Sequence, residues 1–135
     1  MKFDTKIKIA LRDDLEPWQE LNVTAFLMSG IAGTQKIIGE PYVDADGEQY
    51  LPMSQQPIMI HSASAEQLQH LIQKGLTKDV VISIYTHELF TTYNDEDNRA
   101  TIAKFKTADL DLVGVTMRGK KTHVDKLFKG IALHK

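Results

Sequence analysis

Between Lys6 and Gly130 the apolar residues change their spacing back and forth, from every second residue to every third or fourth. That alternation most narrows the folds open to the chain. Lys6-Ile7-Lys8-Ile9 alternates and runs apolar to Leu11 before Arg12-Asp13-Asp14, which reads as a strand ending in a polar turn. Pro17 suits the first turn of a helix, where its missing N–H is no loss. Behind it Leu21, Ala25, Met28 and Ala32 share one face, and Phe26, Leu27 and Ile31 widen the apolar surface. A helix apolar over so much of its circumference is expected to lie against a sheet, with Gly30 and Gly33 allowing close packing and then termination.

The pattern continues downstream. Residues 42–51 place strand-forming residues around Asp44-Ala45-Asp46-Gly47, a hairpin turn with glycine at positive φ. Pro57 opens a strand at Ile58-Met59-Ile60-His61. Ser64-Ala65-Glu66-Gln67 spells a capping box, followed by Leu68, Leu71, Ile72 and Leu76 at helical spacing. Residues 80–85 form a β-branched run typical of a buried strand. Asn94-Asp95-Glu96-Asp97 opens a helix to about Lys104, its carboxylates against the positive end of the macrodipole. Residues 110–117 read as a further strand, and residues 122–129 as a last short helix ending at Gly130. Strands alternating with helices predict an α/β fold, with helices on both faces of a mostly parallel or mixed sheet.

The 135 residues suit one domain, residues 1–135, with no linker or repeat to divide them. The absence of cysteine excludes disulfides, a thiolate nucleophile and cysteine-ligated zinc. Met1-Lys2-Phe3-Asp4 lacks the apolar core of a signal peptide, and no apolar stretch reaches membrane-spanning length, so a cytoplasmic protein without a membrane partner is expected. The net charge of −2 hides a split. Residues 1–117 carry 10 basic and 17 acidic side chains, a balance of −7; residues 118–135 carry six basic side chains against Asp125 alone, a balance of +5.

Three motifs approach known sites and fall short. Gly114 to Lys121 nearly spells a Walker phosphate loop, but Lys121 stands where Ser or Thr should hold magnesium, and Gly114 falls inside a strand. Gly119 and Lys120 keep a weaker claim as an anion site before the last helix. Asp44-Ala45-Asp46-Gly47-Glu48 has its glycine misplaced for a calcium loop, and Gln55 stands where a glutamate should close it. Asp95, Glu96 and Asp97 are explained by the helix start. The five histidines show no metal-ligand spacing, so neither metal nor cofactor is expected.

The densest polar group is Arg12, Asp13, Asp14, Trp18, Gln19 and Asn22, at the end of the first strand and the start of its helix. If residues 80–85 run parallel beside that strand, Thr86, His87 and Glu88 converge on the same edge and form a crevice. Against this, Asp14 could cap the helix and Arg12 could pair with Glu16. In an enzyme, His87 or Asp14 would serve as base and Asn22 would orient the substrate; Asp13, Trp18, Thr86, Glu88 and Lys120 complete the candidate ligand contacts.

The run Arg12-Asp13-Asp14-Leu15-Glu16-Pro17-Trp18-Gln19-Glu20-Leu21-Asn22-Val23-Thr24-Ala25-Phe26-Leu27 resembles the opening signature of the bacterial family labelled domain of unknown function 2000. Ile38-Gly39-Glu40-Pro41-Tyr42, Tyr50-Leu51-Pro52-Met53, the stretch from Asp109 to Gly114, and Val124-Asp125-Lys126 also fit it. The resemblance implies a fold similar to type II peptidyl-tRNA hydrolase, a three-layer α/β/α sandwich around a small mixed sheet, and supplies no function. The hydrolase motif Gly-Lys-Leu-Ala-Ala-Gln falls on Gln19-Glu20-Leu21-Asn22-Val23-Thr24. Only Leu21 matches, and Glu20 reverses the charge of the lysine. The hydrolase's Arg-Asp pair becomes Thr86-His87. A tRNA footprint also requires a basic surface, which the −7 balance does not provide, so no nucleic-acid partner is expected. The expected function is therefore an uncharacterised domain with a small-molecule or peptide crevice. The alternatives are a non-catalytic homodimeric binding module docking through its basic C-terminal segment and, last, residual peptidyl-tRNA hydrolysis.

Overall fold

The first strand, β1 (Thr5–Arg12), lies at the centre of a five-stranded mixed sheet in a computed structural model that describes residues 3–135. Met1 and Lys2, on which part of the signal-peptide expectation rests, lie outside the described residues. In chain order there follow α1 (Pro17–Thr34), a small hairpin of β2 (Tyr42–Val43) and β3 (Gln49–Tyr50), β4 (Ile58–Ala63) and α2 (Ala65–Gly75). Next come β5 (Val80–Thr86), a 3₁₀ turn (His87–Thr91), α3 (Asp95–Ile102), β6 (Leu112–Lys120), α4 (Lys121–Leu127) and β7 (Ala132–Leu133). The sheet order is β5-β6-β1-β4-β7, and the β1–β4 pair alone is parallel.

Helices cover both faces, giving the expected α/β sandwich. On one face Val23, Leu27 and Ile31 of α1 pack on Ile7, Ile9, Leu11 and Val113. On the other, Leu68, Leu71 and Ile72 of α2 and Val124 and Leu127 of α4 pack on Ala10, Val115 and Met117. β6 is buried on both faces and flanked by a strand on each side, hence its unbroken buried run from Leu112 to Met117. Its Gly114 lies under α1, where an added Cβ would stand 2.6 Å from Val23 Cγ1 and 2.9 Å from Leu27 Cδ1. No helix among the described residues is long and apolar enough to cross a membrane.

Local signals placed most elements. Ser64 and Gln67 form the reciprocal cap of α2, and Gly47 takes φ +89° in the β2–β3 turn. Several expectations need correction. α1 buries Val23, Leu27 and Ile31 and leaves Leu21 75% exposed, because a helix apolar nearly all round carries no periodic signal for which side meets the sheet. Leu76 is likewise exposed. Glu16, not Asp14, is the N-cap of α1, its N–H donating to Gln19 Oε1 at 2.9 Å. Arg12 pairs with Asp14 and Asp111, not Glu16. β5 does not lie beside β1: β6 runs between them, antiparallel to each. Gly119 and Lys120 do stand directly ahead of α4, as the last residues of β6, with Lys120 at the helix N-cap.

Candidate functional site

Because β6 is antiparallel to both β1 and β5, those two strands point the same way and release their following segments at one edge of the sheet. The edge is built around Arg12. Its Nε donates to Asp14 Oδ1 and its Nη1 to Asp111 Oδ1, each at 2.7 Å, with Leu112 O at 3.3 Å. Partial burial works against the guanidinium charge, but Asp14 and Asp111 more than offset it and hold the proton more tightly than usual. The backbone N–H of His87 donates to Asp111 O at 2.9 Å, fixing the 3₁₀ turn to the start of β6.

That turn brings Phe90 into an aromatic group at the start of α1. Phe90 lies 5.1 Å from Tyr85, 5.6 Å from Trp18 and 5.7 Å from His87 between ring centroids, with Trp18 and His87 meeting it edge-on. The Tyr85 hydroxyl stands 3.3 Å from Asn22 Oδ1 and 3.5 Å from Leu89 O, and burial raises its pKa above the usual phenol value. Beside this group opens a cleft of about 520 Å³, bounded by Trp18, Asn22, Phe26, Tyr85, Phe90, residues 92–95 and Asn98. Thr92, Tyr93, Asn94 and Asn98 bring hydroxyl and amide groups to it, and Asp95 a carboxylate. Asn94 caps α3 by accepting from Asp97 N at 2.8 Å, Thr92 Oγ1 bonds Asn98 Oδ1, and Asp95 pairs with Arg99.

Of the residues singled out from sequence, Trp18 and Asn22 line this cleft and His87 meets it through Phe90. Thr86 is fully buried beside it, and its Oγ1, like Glu88 Oε1, has no hydrogen-bond partner among the described residues. Asp13 and Asp14 are exposed and lie outside the lining, Asp14 on Arg12 and Asp13 with its N–H on Ala63 O. Lys120 pairs with Thr5 at the opposite end of the sheet and cannot join the same site. Sequence reasoning missed Tyr85, Phe90, Asn94 and Asn98. The available signal was Phe90 and Tyr93, two aromatics in a short polar segment that no core periodicity required. Among the described residues no three His, Asp or Glu side chains converge as a metal site needs.

A wider depression, about 660 Å³, lies between α1 and β4. Its walls are aliphatic apart from Thr24 and the ion pair of Glu20 with His134.

Comparison with known proteins gives a family and a structural relative. The family model DUF2000, described as a protein of unknown function, matches residues 5–135. A solved structure of Atu0240, a protein of unknown function from Agrobacterium tumefaciens, is similar at a TM-score of 0.95 and 46% identity, covering 99% of this chain and 100% of that one. No protein of curated function matches the chain.

Proposed function

The chain belongs to the DUF2000 family, and for this member we propose a ligand-binding role centred on the cleft beside Trp18, with a short peptide or other amide-bearing small molecule as its ligand. The observation that carries this reading is the mixed lining of the cleft. Trp18, Tyr85 and Phe90 offer an apolar, edge-packed surface, and Asn22, Asn94 and Asn98 face the same space with side chains that can each donate and accept. An amide ligand presents the same two chemistries in alternation. In this reading Asn22 orients the ligand, held by Tyr85, and His87 is the titratable group at the rim. Asp14 positions the strand end through Arg12 rather than acting as a base. The compartment proposed is the cytoplasm, supported by a chain without cysteine. Peptidyl-tRNA hydrolysis gains no support, since Glu20, at the position of the hydrolase lysine, is engaged by His134 and lies in the other depression.

Trp18 is the one tryptophan of the chain and is 59% exposed, so its emission reports directly on the cleft. Titration with N-acetylated di- and tripeptide amides should change that emission saturably. Asn22→Asp keeps the acceptor for Tyr85 and removes the amide donors; it should weaken binding roughly tenfold, about one lost hydrogen bond, with the unfolding midpoint unchanged. If no blocked peptide perturbs Trp18, or Asn22→Asp binds as well as the parent, the reading fails.

A further inference from the structure

The β2–β3 hairpin is the part of the chain that its own fold does not use. Every residue from 40 to 51 is exposed, and the hairpin forms a separate two-stranded sheet. It is nonetheless well ordered by its own bonds. Asp44 Oδ1 accepts from Asp46 N and Glu48 N, Tyr50 donates its hydroxyl to Asp44 Oδ2, and the root is stitched by Gly39 N to Met53 O and Gln55 N to Ile37 O. On this rigid arm Tyr42, Val43, Tyr50, Leu51 and Met53 stand in solvent, Leu51 at 86% exposure. Tyr42 stands opposite Tyr50 across the hairpin, and Val43 projects from its other face. Exposed apolar side chains grouped on an ordered element mark an interaction surface.

The same chain carries a surface that matches it. β7 pairs with β4 at His61 and Ser62, and among the described residues no strand pairs with the outer edge of β4 at Ile58 and Met59. On one side of that edge is the aliphatic groove lined by Leu21, Ala25, Ile58 and Leu133. On the other is a depression of about 420 Å³ bordered by Lys6, Lys8 and Lys121, and Met59 lines both. Lys6 and Lys8 share the single carboxylate of Asp125, at 2.8 and 3.1 Å, and Lys121 makes no ion pair among the described residues, so this rim is net positive. The arm is its complement: residues 39–53 hold Glu40, Asp44, Asp46 and Glu48 and no basic residue.

We propose that the hairpin arm of one copy clasps the β4 edge of a second copy, its apolar side chains in the groove beside Leu21 and its acids toward Lys6, Lys8 and Lys121, and that a two-fold axis makes the exchange reciprocal. Both halves of the contact are present on one chain, so a pair of copies satisfies both and the assembly closes. One arm offers on the order of 500 Å² of side-chain surface, and two arms in two grooves remove roughly 2,000 Å² in total, the size of a stable interface.

Sedimentation equilibrium on the full chain should find a dimer. Leu51→Asp and Leu21→Asp each place a charge at an exposed site that folding does not need, and each should raise the dissociation constant tenfold or more, roughly the loss of one buried leucine contact, with circular dichroism and melting of the monomer unchanged. Lys121→Glu should raise it several-fold, and added salt should erase that difference. Because the chain has no cysteine, a mixture of Leu51→Cys and Leu21→Cys proteins treated with a short bismaleimide should give 51-to-21 cross-links. A wild-type monomer at every concentration, a dimer indifferent to both aspartates, or cross-links confined to 51-to-51 would each overturn the proposal. In the first case the arm serves a different protein; in the last, arms pair with arms.

Discussion

His134 sets Nδ1 2.8 Å from Lys135 O and Nε2 against the Glu20 carboxylate; both partners are acceptors, so the pair of contacts favours the imidazolium, which can donate to both. Glu20 is the main reason its pKa lies above that of an ordinary histidine, with the Lys135 carbonyl adding to it. A raised histidine pKa contributes stability that is fully present below the unfolded value and is lost as pH rises through the folded one. The His134 N–H also bonds Ile60 O at 2.9 Å, so the ion pair helps hold the segment after β7 against both α1 and β4. Ring titration by NMR should therefore find Glu20→Gln moving the His134 pKa down, toward the ordinary range. Amide protection around His134, highest in mildly acid buffer, should lose its pH dependence in that variant. An unchanged His134 titration would show that the pair does not persist in solution.

At the scale of elements, the decisive fit is α1 against β6. Val23 and Leu27 reach the sheet because Gly114 has no side chain, and a β-branched valine cannot swing aside to admit one. Gly114→Ala should cost about 1–3 kcal/mol, read as a lower denaturant midpoint with an unchanged slope, since overpacking pushes the helix off the sheet. The consequence reaches the cleft, because Asn22 and Trp18 ride on the same helix, so the variant should also shift Trp18 emission. A Gly114→Ala protein as stable as the parent would mean that α1 can slide without penalty. Sequence marked Gly114 as a strand glycine inside a failed phosphate motif and as the end of a stretch that fits the family. Its role is a contact between residues about 90 positions apart in the chain, beyond any local signal.

Over the whole molecule, stability and exposure are unevenly shared. β1 and β6 lie inside the sheet with their apolar side chains buried, whereas the arm touches water along its length. Hydrogen exchange should follow that gradient. Amides of Ile9 and Val115 should open only with global unfolding, and those of Val43 and Gln49 through local opening. Arm protection should then rise with protein concentration if copies exchange arms, and stay flat if they do not.

Most of the elements, and the class they build, were legible along the chain, though β7 was not. The alternation at Lys6–Ile9, the cap at Ser64 and Gln67, and the glycine turn at Gly47 are interactions between near neighbours, so they can be read along the chain. The resemblance to a family of unknown function was legible for the same reason, carried by contiguous runs. Tertiary structure decided what depends on distant partners. It set β6 between β1 and β5, turned Val23 rather than Leu21 to the sheet, and sent Lys120 to the far end from Asn22. It also assembled the cleft, since Trp18, Tyr85 and Phe90 meet only after two strands and a helix have packed. An apolar residue records that it will be buried, but which surface buries it is a property of the packed whole.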